Sequence, residues 1–247
     1  MNKRGGWIAD LALAVGLVAP LLVVLGAVGT KLGVWSWRVG FVKMTVQWAP
    51  PAAIAGVALG AVALLVALFV LKRKRLVALA ALVLPGLVLA GMAKLKADAG
   101  KVPPIHDVAT TWDDPVMFTK ALMAERAGAD NPVEADPRVP AKAGPPWAGQ
   151  RIADVNAKTC PGARTIPRQV DSDAAVAAIE KLGGRVVGSS LFRVEGTFES
   201  FWYGFKDDVA IRIRPGETDI RSVSRVGGSD IGMNCKRVTA LVQALGK

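Results

Sequence analysis

Three long apolar stretches without a charged residue constrain this chain more than any other feature. They lie at Leu11–Thr30, Met44–Leu71 and Leu76–Ala93. A helix needs about 20 predominantly apolar residues to cross the hydrocarbon core of a bilayer, so we predict three transmembrane helices. Pro50-Pro51 is predicted to mark the start of the second helix. The first stretch is too long for the apolar core of a signal peptide, which favours a helix retained in the mature protein.

The Lys and Arg residues beside these stretches predict the orientation of the protein. Lys3, Arg4 and the compact block Lys72–Arg75 lie on one side of the membrane, with six basic residues against five on the other side. The block favours the cytoplasm for its side. Three crossings then place residues 98–247 outside the cytoplasm. We therefore expect a multi-pass protein of the cytoplasmic (inner) membrane with an extracytoplasmic C-terminal domain, which is periplasmic if the cell has two membranes.

The composition of the three predicted spans favours a membrane anchor. No charged residue lies near the centre of a span, whereas a transporter or pump normally needs an ionisable group there. Trp35, Trp37 and Trp48 are expected to form an aromatic belt at the outer interface. Gly56 and Gly60 form a GxxxG motif in the second span. This motif either packs against the other spans of the same chain or joins two chains in a homodimer.

The basic charge of the chain is concentrated beside the predicted spans. Lys and Arg number 31 and Asp and Glu number 20, for a net charge of +11. Residues 1–97 hold eleven of the basic residues and one acidic residue, so residues 98–247 are nearly neutral. Nucleic-acid binding requires a basic face that neutralises phosphates. We therefore expect membrane lipids, and no nucleic acid, as partners of this chain.

The remainder of the chain is predicted to contain an irregular connector and a folded core. Ten of the fifteen prolines lie between Pro103 and Pro167, which predicts a long connector that wraps the soluble domain. One short helix is predicted within it over Asp114–Ala127, capped by Asp114. The predicted domains are a three-span anchor (1–97), the Pro-rich connector (98–168) and an α+β core (169–247).

Residues 169–247 follow an αββββα order. Helices are predicted over Asp171–Leu182 and from a cap at Ser229 or Asp230 to Leu245. The four strands between them are predicted over Arg185–Phe192, Arg193–Phe205, Val209–Arg214 and Asp219–Val226. The expected fold class is therefore three N-terminal transmembrane helices followed by an α+β domain. Its antiparallel sheet of about four strands has helices packed on one face.

The alternation along the last two predicted strands places arginines on one face of the sheet. Since Ile211 and Ile213 are expected to face the helices, the arginines face away. Two interpretations remain open. The arginines form cross-strand ion pairs with glutamates of the preceding strand, or they form an anion site for a lipid headgroup or an envelope-polymer phosphate. The arginines are Arg212, Arg214, Arg221 and Arg225, and the glutamates are Glu195 and Glu199.

Few residues offer catalytic or metal-binding chemistry. His106 is the one histidine, so a histidine-dependent mechanism must use it, with Asp107 and a serine such as Ser224 brought near by folding. These three residues are candidates for catalysis, although a lone histidine is more often structural. Asp207-Asp208 is predicted to have a turn or cap role. One histidine and two distant cysteines match no zinc spacing, and no phosphate-binding glycine motif is present, so we expect no metal and no cofactor.

Cys160 and Cys235 are the only cysteines, and both lie in the half of the chain predicted to be extracytoplasmic. An oxidising compartment favours a disulfide between them, which would attach the connector to the final helix. Two unpaired thiols are the alternative, with Cys235 as a small apolar residue of the core. Both interpretations remain open.

Three motifs in the second half of the chain resemble the domain-of-unknown-function 1499 family. They are Ile105–Thr111 (IHDVATT), Trp202–Arg214 (WYGFKDDVAIRIR) and Arg221–Gly227 (RSVSRVG), the last followed by Ser229, Asp230 and Asn234. The three motifs occur in the same order as in the family, which makes the resemblance specific. It covers roughly residues 106–245. It implies membrane-anchored bacterial relatives and brings no established activity. It also singles out Asp230 and Asn234, which we add to the four arginines as candidates for ligand binding.

We hypothesise that the chain is a non-enzymatic binding or scaffold module of the cell envelope. Its partner would be an anionic envelope ligand or an envelope protein. An envelope enzyme that uses His106 and Asp107 is one alternative, and a small transporter or channel subunit is another. The near-neutral domain and the absence of charge within the spans favour the binding module.

Overall fold

The computed structural model describes residues 6–247, so Lys3 and Arg4 of the orientation argument lie outside the described residues. The chain divides into two compact units. The first contains the residues up to Ala97 together with Phe201–Gly204, and the second contains Asp98–Ser200 and Phe205–Lys247. Each unit is described by itself below.

The first unit holds three helices that are long and apolar enough to cross a membrane. They cover Gly6–Lys31, Arg38–Phe69 and Lys72–Ala99. Helix α1 is Gly6–Lys31, and α3 is Arg75–Ala99. The second helix begins with a π-helical segment, Arg38–Trp48, that continues into α2 over Ala49–Phe69.

The α-helical part of this span begins at Ala49, so Pro50-Pro51 lie in its first turn as predicted, and only the π-helical segment ahead of it was not predicted. A proline inside an α-helix clashes with the carbonyl four residues earlier. The segment ahead of the prolines has the wider π pattern, in which the Ala49 N–H donates to the carbonyl oxygen of Met44. This wider turn lets the helix run into the prolines without a break.

Small residues pack the three helices together. Every buried residue of α1, α2 and α3 is Ala, Gly or Pro, whereas many Leu and Val side chains of these helices are exposed. A Cβ atom on Gly56 would lie 3.0 Å from the Cα of Gly16 in α1 and 3.1 Å from the ring of Pro85 in α3. Small residues that allow close backbone approach are typical of helix contacts in membranes. The GxxxG motif thus packs within one chain, and the homodimer stays a prediction.

We expect Gly60→Ala to destabilise the helix packing by about 1–3 kcal/mol, the usual cost of an overpacked contact. The added Cβ would lie 2.7 Å from the backbone of Ala81 in α3. Backbone atoms cannot relieve this contact by rotating, as a side chain can. The unfolding free energy of the full chain can be measured by SDS titration in mild detergent. Gly91→Ala is the matched control because nothing lies within 4 Å of that position. Equal effects of the two changes would contradict this description of the contact.

The second unit is built on a five-stranded antiparallel sheet with the order β1-β5-β4-β3-β2. The strands are β1 (Asp107–Ala109), β2 (Arg185–Ser190), β3 (Arg193–Glu199), β4 (Lys206–Arg214) and β5 (Glu217–Ser224). The predicted count of four strands is one short. The additional strand, β1, has only three residues and lies in the Pro-rich segment, where no alternation could reveal it.

The helices of the second unit agree with the prediction in the core and differ in the connector. Helix α6 covers Ser172–Lys181 with Asp171 as its cap, and α7 covers Met233–Leu245. In the connector, α4 is confined to Lys120–Glu125, with Thr119 as its cap instead of Asp114. Helix α5, Ile152–Thr159, was not predicted.

Both faces of the sheet are covered. On one face, apolar side chains of the strands pack against α5, α6 and α7. This core includes Val194, Val209, Ile211, Ile213, Ile220, Ile152, Ile179, Val238 and Leu241. On the other face, Val116 and Phe118 of the connector and Leu122 of α4 pack over Ala210 and Val223.

The two cysteines are placed at disulfide-bonding distance, with Cα atoms 5.7 Å apart. Cys160 directly follows α5, and Cys235 lies in the first turn of α7. The pair therefore joins the connector to the final helix, as the disulfide interpretation expected.

Candidate functional site

The strand register sorts the candidate residues onto two faces of the sheet. Arg212 pairs with Asp219 across β4 and β5, and Arg221 pairs with Ala210 and with Ala109 of β1. Because side chains alternate along a strand, these arginines share the face that the connector covers. We call this surface the arginine face. It comprises Asp107, Asp208, Arg212, Arg214, Asp219, Arg221 and Arg225 with their connector partners Asp114 and Arg126.

Arg221 and Asp107 form a buried ion pair on the arginine face. Arg221 Nε donates to Asp107 Oδ1 at 3.0 Å, and Nη2 donates to Oδ2 at 2.6 Å. Arg221 also donates to the carbonyl oxygens of Val116 at 3.3 Å and Glu134 at 2.7 Å and to the Met117 sulfur at 3.4 Å, all in the connector. The arginine side chain is 0% exposed, and its guanidinium carbon lies 5.1 Å from the centre of the Trp112 ring. Arg221 is therefore fully engaged inside the protein.

Asp208 is the acceptor at the centre of a second buried group. Its Oδ2 accepts bonds from Arg126 Nη1 at 2.6 Å and from Arg225 Nε at 2.8 Å. Its Oδ1 accepts bonds from Thr197 Oγ1 at 2.6 Å and Arg225 Nη2 at 2.8 Å. Burial alone would raise the pKa of Asp208, but the bonds from Arg225, Thr197 and Arg126 outweigh it and lower the pKa below its ordinary 3.8. Asp208 thus remains charged and holds two arginines.

The outer part of the arginine face is built from Arg212 and Arg214. Both donate to Asp219 Oδ2, at 3.0 and 2.8 Å, and both lie within 3.0 Å of Asp114 Oδ2. Asp219 is buried, whereas the Asp114 side chain is 64% exposed. The Arg212 charge is the main cause that lowers the pKa of Asp114. Arg214 is the most accessible arginine of the predicted anion site, whereas Arg212 and Arg225 are mostly buried.

The acids that pair with the arginines differ from those predicted. They are Asp107, Asp114, Asp208 and Asp219, with Glu125 near Arg225 and Glu217 near Arg214. Glu195 instead accepts bonds from the backbone N–H and hydroxyl of Thr119. Glu199 lies opposite Lys206 in the register. Three of these aspartates lie on β1, β4 and β5, outside the preceding strand that was expected to supply the acids.

Asp207 and Asp208 lie inside β4, which corrects the predicted turn or cap role. Adjacent residues of a strand point to opposite faces. Asp208 belongs to the arginine face, while Asp207 accepts a bond from Arg237 Nη2 of α7 at 2.9 Å. The two aspartates therefore form ion pairs on opposite faces of the sheet.

A second cluster surrounds Asn234 on the helical face. The Nδ2 group of Asn234 donates to the His106 carbonyl oxygen and to Ser224 Oγ, each at 3.0 Å. Its Oδ1 accepts bonds from Ser222 Oγ and Arg237 Nη1, each at 2.6 Å. Asn234 is fully buried, and all four of its hydrogen-bonding positions are used. We call His106, Asp207, Ser222, Ser224, Asp230, Asn234 and Arg237 the Asn234 cluster.

Asp230 closes the start of α7 within this cluster. Its carboxylate accepts bonds from the backbone N–H of Gly232 at 2.7 Å and of Asn234 at 2.9 Å. These bonds hold Ile231 and Gly232 at φ values of 52° and 77°, a region that a β-branched residue rarely adopts. Burial raises the pKa of Asp230 to about 6, against the lowering effect of the two backbone bonds. Asp230 is thus a structural cap whose charge is disfavoured by its surroundings.

The three catalytic candidates are not joined through their side chains. Asp107 is taken by Arg221 on the other face, and the Ser224 hydroxyl accepts its bond from Asn234. His106 Nδ1 is buried and has no hydrogen-bond partner among residues 6–247. Burial lowers the pKa of His106, and the Asp107 charge opposes that effect. No group of three or more His, Cys, Asp or Glu residues suited to a metal ion occurs in the described part of the chain.

Comparison with known proteins gives one match. The family model described as "Protein of unknown function (DUF1499)" matches residues 107–245, which run from the first residue of β1 to the last residue of α7. No curated protein and no solved structure matches the chain.

We expect Arg221→Gln to destabilise the sheet by about 3–5 kcal/mol, because it leaves the Asp107 carboxylate buried without its partner. Hydrogen–deuterium exchange of β4 and β5 peptides from the full chain in detergent would measure the local free energy of opening. Arg214→Gln is the control, since its ion pairs are partly exposed and contribute little to stability. A double variant with Asp107→Asn should recover part of the loss. An equally small effect of both single changes would contradict the role of the buried pair.

We expect Asp230 to make the protein less stable as the pH rises from about 4 to about 6. The folded protein binds this proton more tightly than the unfolded chain, so its contribution is present at low pH and is lost through that window. The loss is about 2–3 kcal/mol for a shift of this size. Asp230→Asn removes the titration and keeps an oxygen acceptor for the cap. The thermal unfolding midpoints of the two full-length proteins should therefore diverge above pH 4, and parallel pH profiles would exclude this explanation.

Proposed function

Given that the chain belongs to the DUF1499 family, we propose that it is a membrane-anchored binding or scaffold module of the bacterial cell envelope. In this proposal the C-terminal domain is displayed outside the cytoplasmic membrane. The family description names no activity, so the proposal depends on the chemistry of this chain.

The observation that carries the proposal is the pairing of Cys160 with Cys235. Disulfides persist in oxidising compartments outside the cytoplasm and are rare inside it. The charge bias beside the spans favours the same side, because the block Lys72–Arg75 is typical of a cytoplasmic loop. Two independent features therefore support an extracytoplasmic domain.

The binding role is supported by the outer part of the arginine face. Arg212 and Arg214 share the exposed Asp114, while the buried Asp219 holds them in place from the other side. The Nε atoms of both arginines are buried without a partner among the described residues. A carboxylate or phosphate group that displaced Asp114 would meet two oriented guanidinium groups. The proposed ligand is therefore an anionic component of the envelope.

The enzyme alternative lacks a comparable observation. His106 is the one histidine, and the bonds of Asp107 and Ser224 go to Arg221 and Asn234 instead. A nucleophilic mechanism needs a base within hydrogen-bond reach of its nucleophile. The binding module is therefore the function that the geometry supports best.

Thiol labelling of spheroplasts with a membrane-impermeant maleimide tests the location of the domain. We expect Leu191→Cys, in the exposed turn between β2 and β3, to be labelled in intact spheroplasts. Arg73→Cys, in the exposed loop before α3, should be labelled only after lysis. In the wild-type chain, Cys160 and Cys235 should react only after reduction and denaturation.

The opposite labelling pattern of the two variants would place the domain in the cytoplasm and overturn the proposal. Wild-type thiols that react after denaturation without reduction would remove the disulfide argument. The two readouts are separate, since the reporter cysteines do not depend on the native pair.

A further inference from the structure

The loop between β3 and β4 carries an aromatic tip, Phe201-Trp202-Tyr203. The side chains of Phe201 and Trp202 are 75% and 63% exposed. Leu191 and Phe192, in the turn between β2 and β3, are exposed to a similar degree, so exposure alone does not distinguish the tip. The tip belongs to the same compact unit as the three apolar helices.

Specific contacts within this unit hold the tip. The Tyr203 hydroxyl is hydrogen-bonded to Thr45 Oγ1 at 2.7 Å, and its ring meets Phe41 edge to face with centres 5.1 Å apart. Lys31 Nζ donates to the Phe201 carbonyl oxygen at 2.7 Å and lies 5.0 Å from the centre of the Phe201 ring. The backbone and Tyr203 are therefore fixed, while Phe201 and Trp202 remain outward.

The residues that hold the tip lie where the apolar helices end. Lys31 is the last residue of α1 and the first charged residue after its apolar stretch. Phe41 and Thr45 lie in the segment that precedes α2, on either side of Lys43. The change from apolar to basic residues marks the interfacial zone of a bilayer, in which Trp, Tyr and Lys are enriched.

We propose that the aromatic tip is a membrane-interface anchor, in which Phe201 and Trp202 insert into the headgroup zone of the lipid bilayer. Tyr203 attaches the tip to the helices, and the other two rings meet lipid. Aromatic side chains suit this zone because their apolar body is covered by lipid while a polar group stays hydrated. The anchor does not depend on which side of the membrane the domain occupies, so it is independent of the proposed function.

Spin-label accessibility in the full chain tests this anchor. Trp202→Cys and Phe201→Cys are labelled with a nitroxide under non-reducing conditions, and the protein is reconstituted into phosphatidylethanolamine–phosphatidylglycerol vesicles. Collision with oxygen, which concentrates in lipid, is compared with collision with a water-soluble nickel chelate. Phe192→Cys is the matched control, because this aromatic residue is also exposed and lies in the turn between β2 and β3.

We expect labels at 201 and 202 to collide several-fold less with the nickel chelate than the label at 192, and to remain accessible to oxygen. Nickel accessibility equal to that at 192 would show a hydrated tip and overturn the anchor. Protection from both probes would also overturn it, because the tip would then be covered by protein, such as a second copy of the chain. If one variant does not fold, the other decides the result.

Discussion

The second unit depends on buried charge that is matched inside the protein. Arg221 and Asp208 belong to central strands of the sheet, and both are withdrawn from water. Removal of such charges from water costs several kcal/mol unless partners and hydrogen bonds replace the lost hydration. The connector supplies Arg126, whose guanidinium bonds to Asp208 and to the carbonyl oxygen of Asn131. A segment that reads as a loose, Pro-rich linker is therefore required to complete the sheet.

The alternation of β4 and β5 divides their charged residues between the two faces of the sheet. Asp207 and Asp208 point to opposite faces, and so do Arg221 and Ser222. Asp208 and Arg221 bind the connector through ion pairs. Asp207 and Ser222 bind α7 through Arg237 and Asn234. The two strands thus fasten an irregular segment on one face and a helix on the other.

Patterns with a clear period could be predicted from the sequence, and pairings over a long separation could not. The three membrane helices follow from apolar length, and the arginine face follows from the alternation around Ile211 and Ile213. Strand β1 has three residues, too few for a period. The role of Arg126 depends on a contact 82 residues away along the chain, which no local pattern encodes. Likewise, the cysteine spacing left the disulfide open until folding placed α5 beside α7.

The first unit separates its polar contacts from its close helix packing. Its polar contacts lie at the ends of the helices, as in the ion pair between Lys74 and Asp10 at 2.7 Å and the bond between Thr45 and Tyr203. The middle of the bundle is packed by Ala and Gly. Ion and proton pathways are lined by polar or ionisable groups at membrane depth. Tight packing of small residues serves instead to hold helices together.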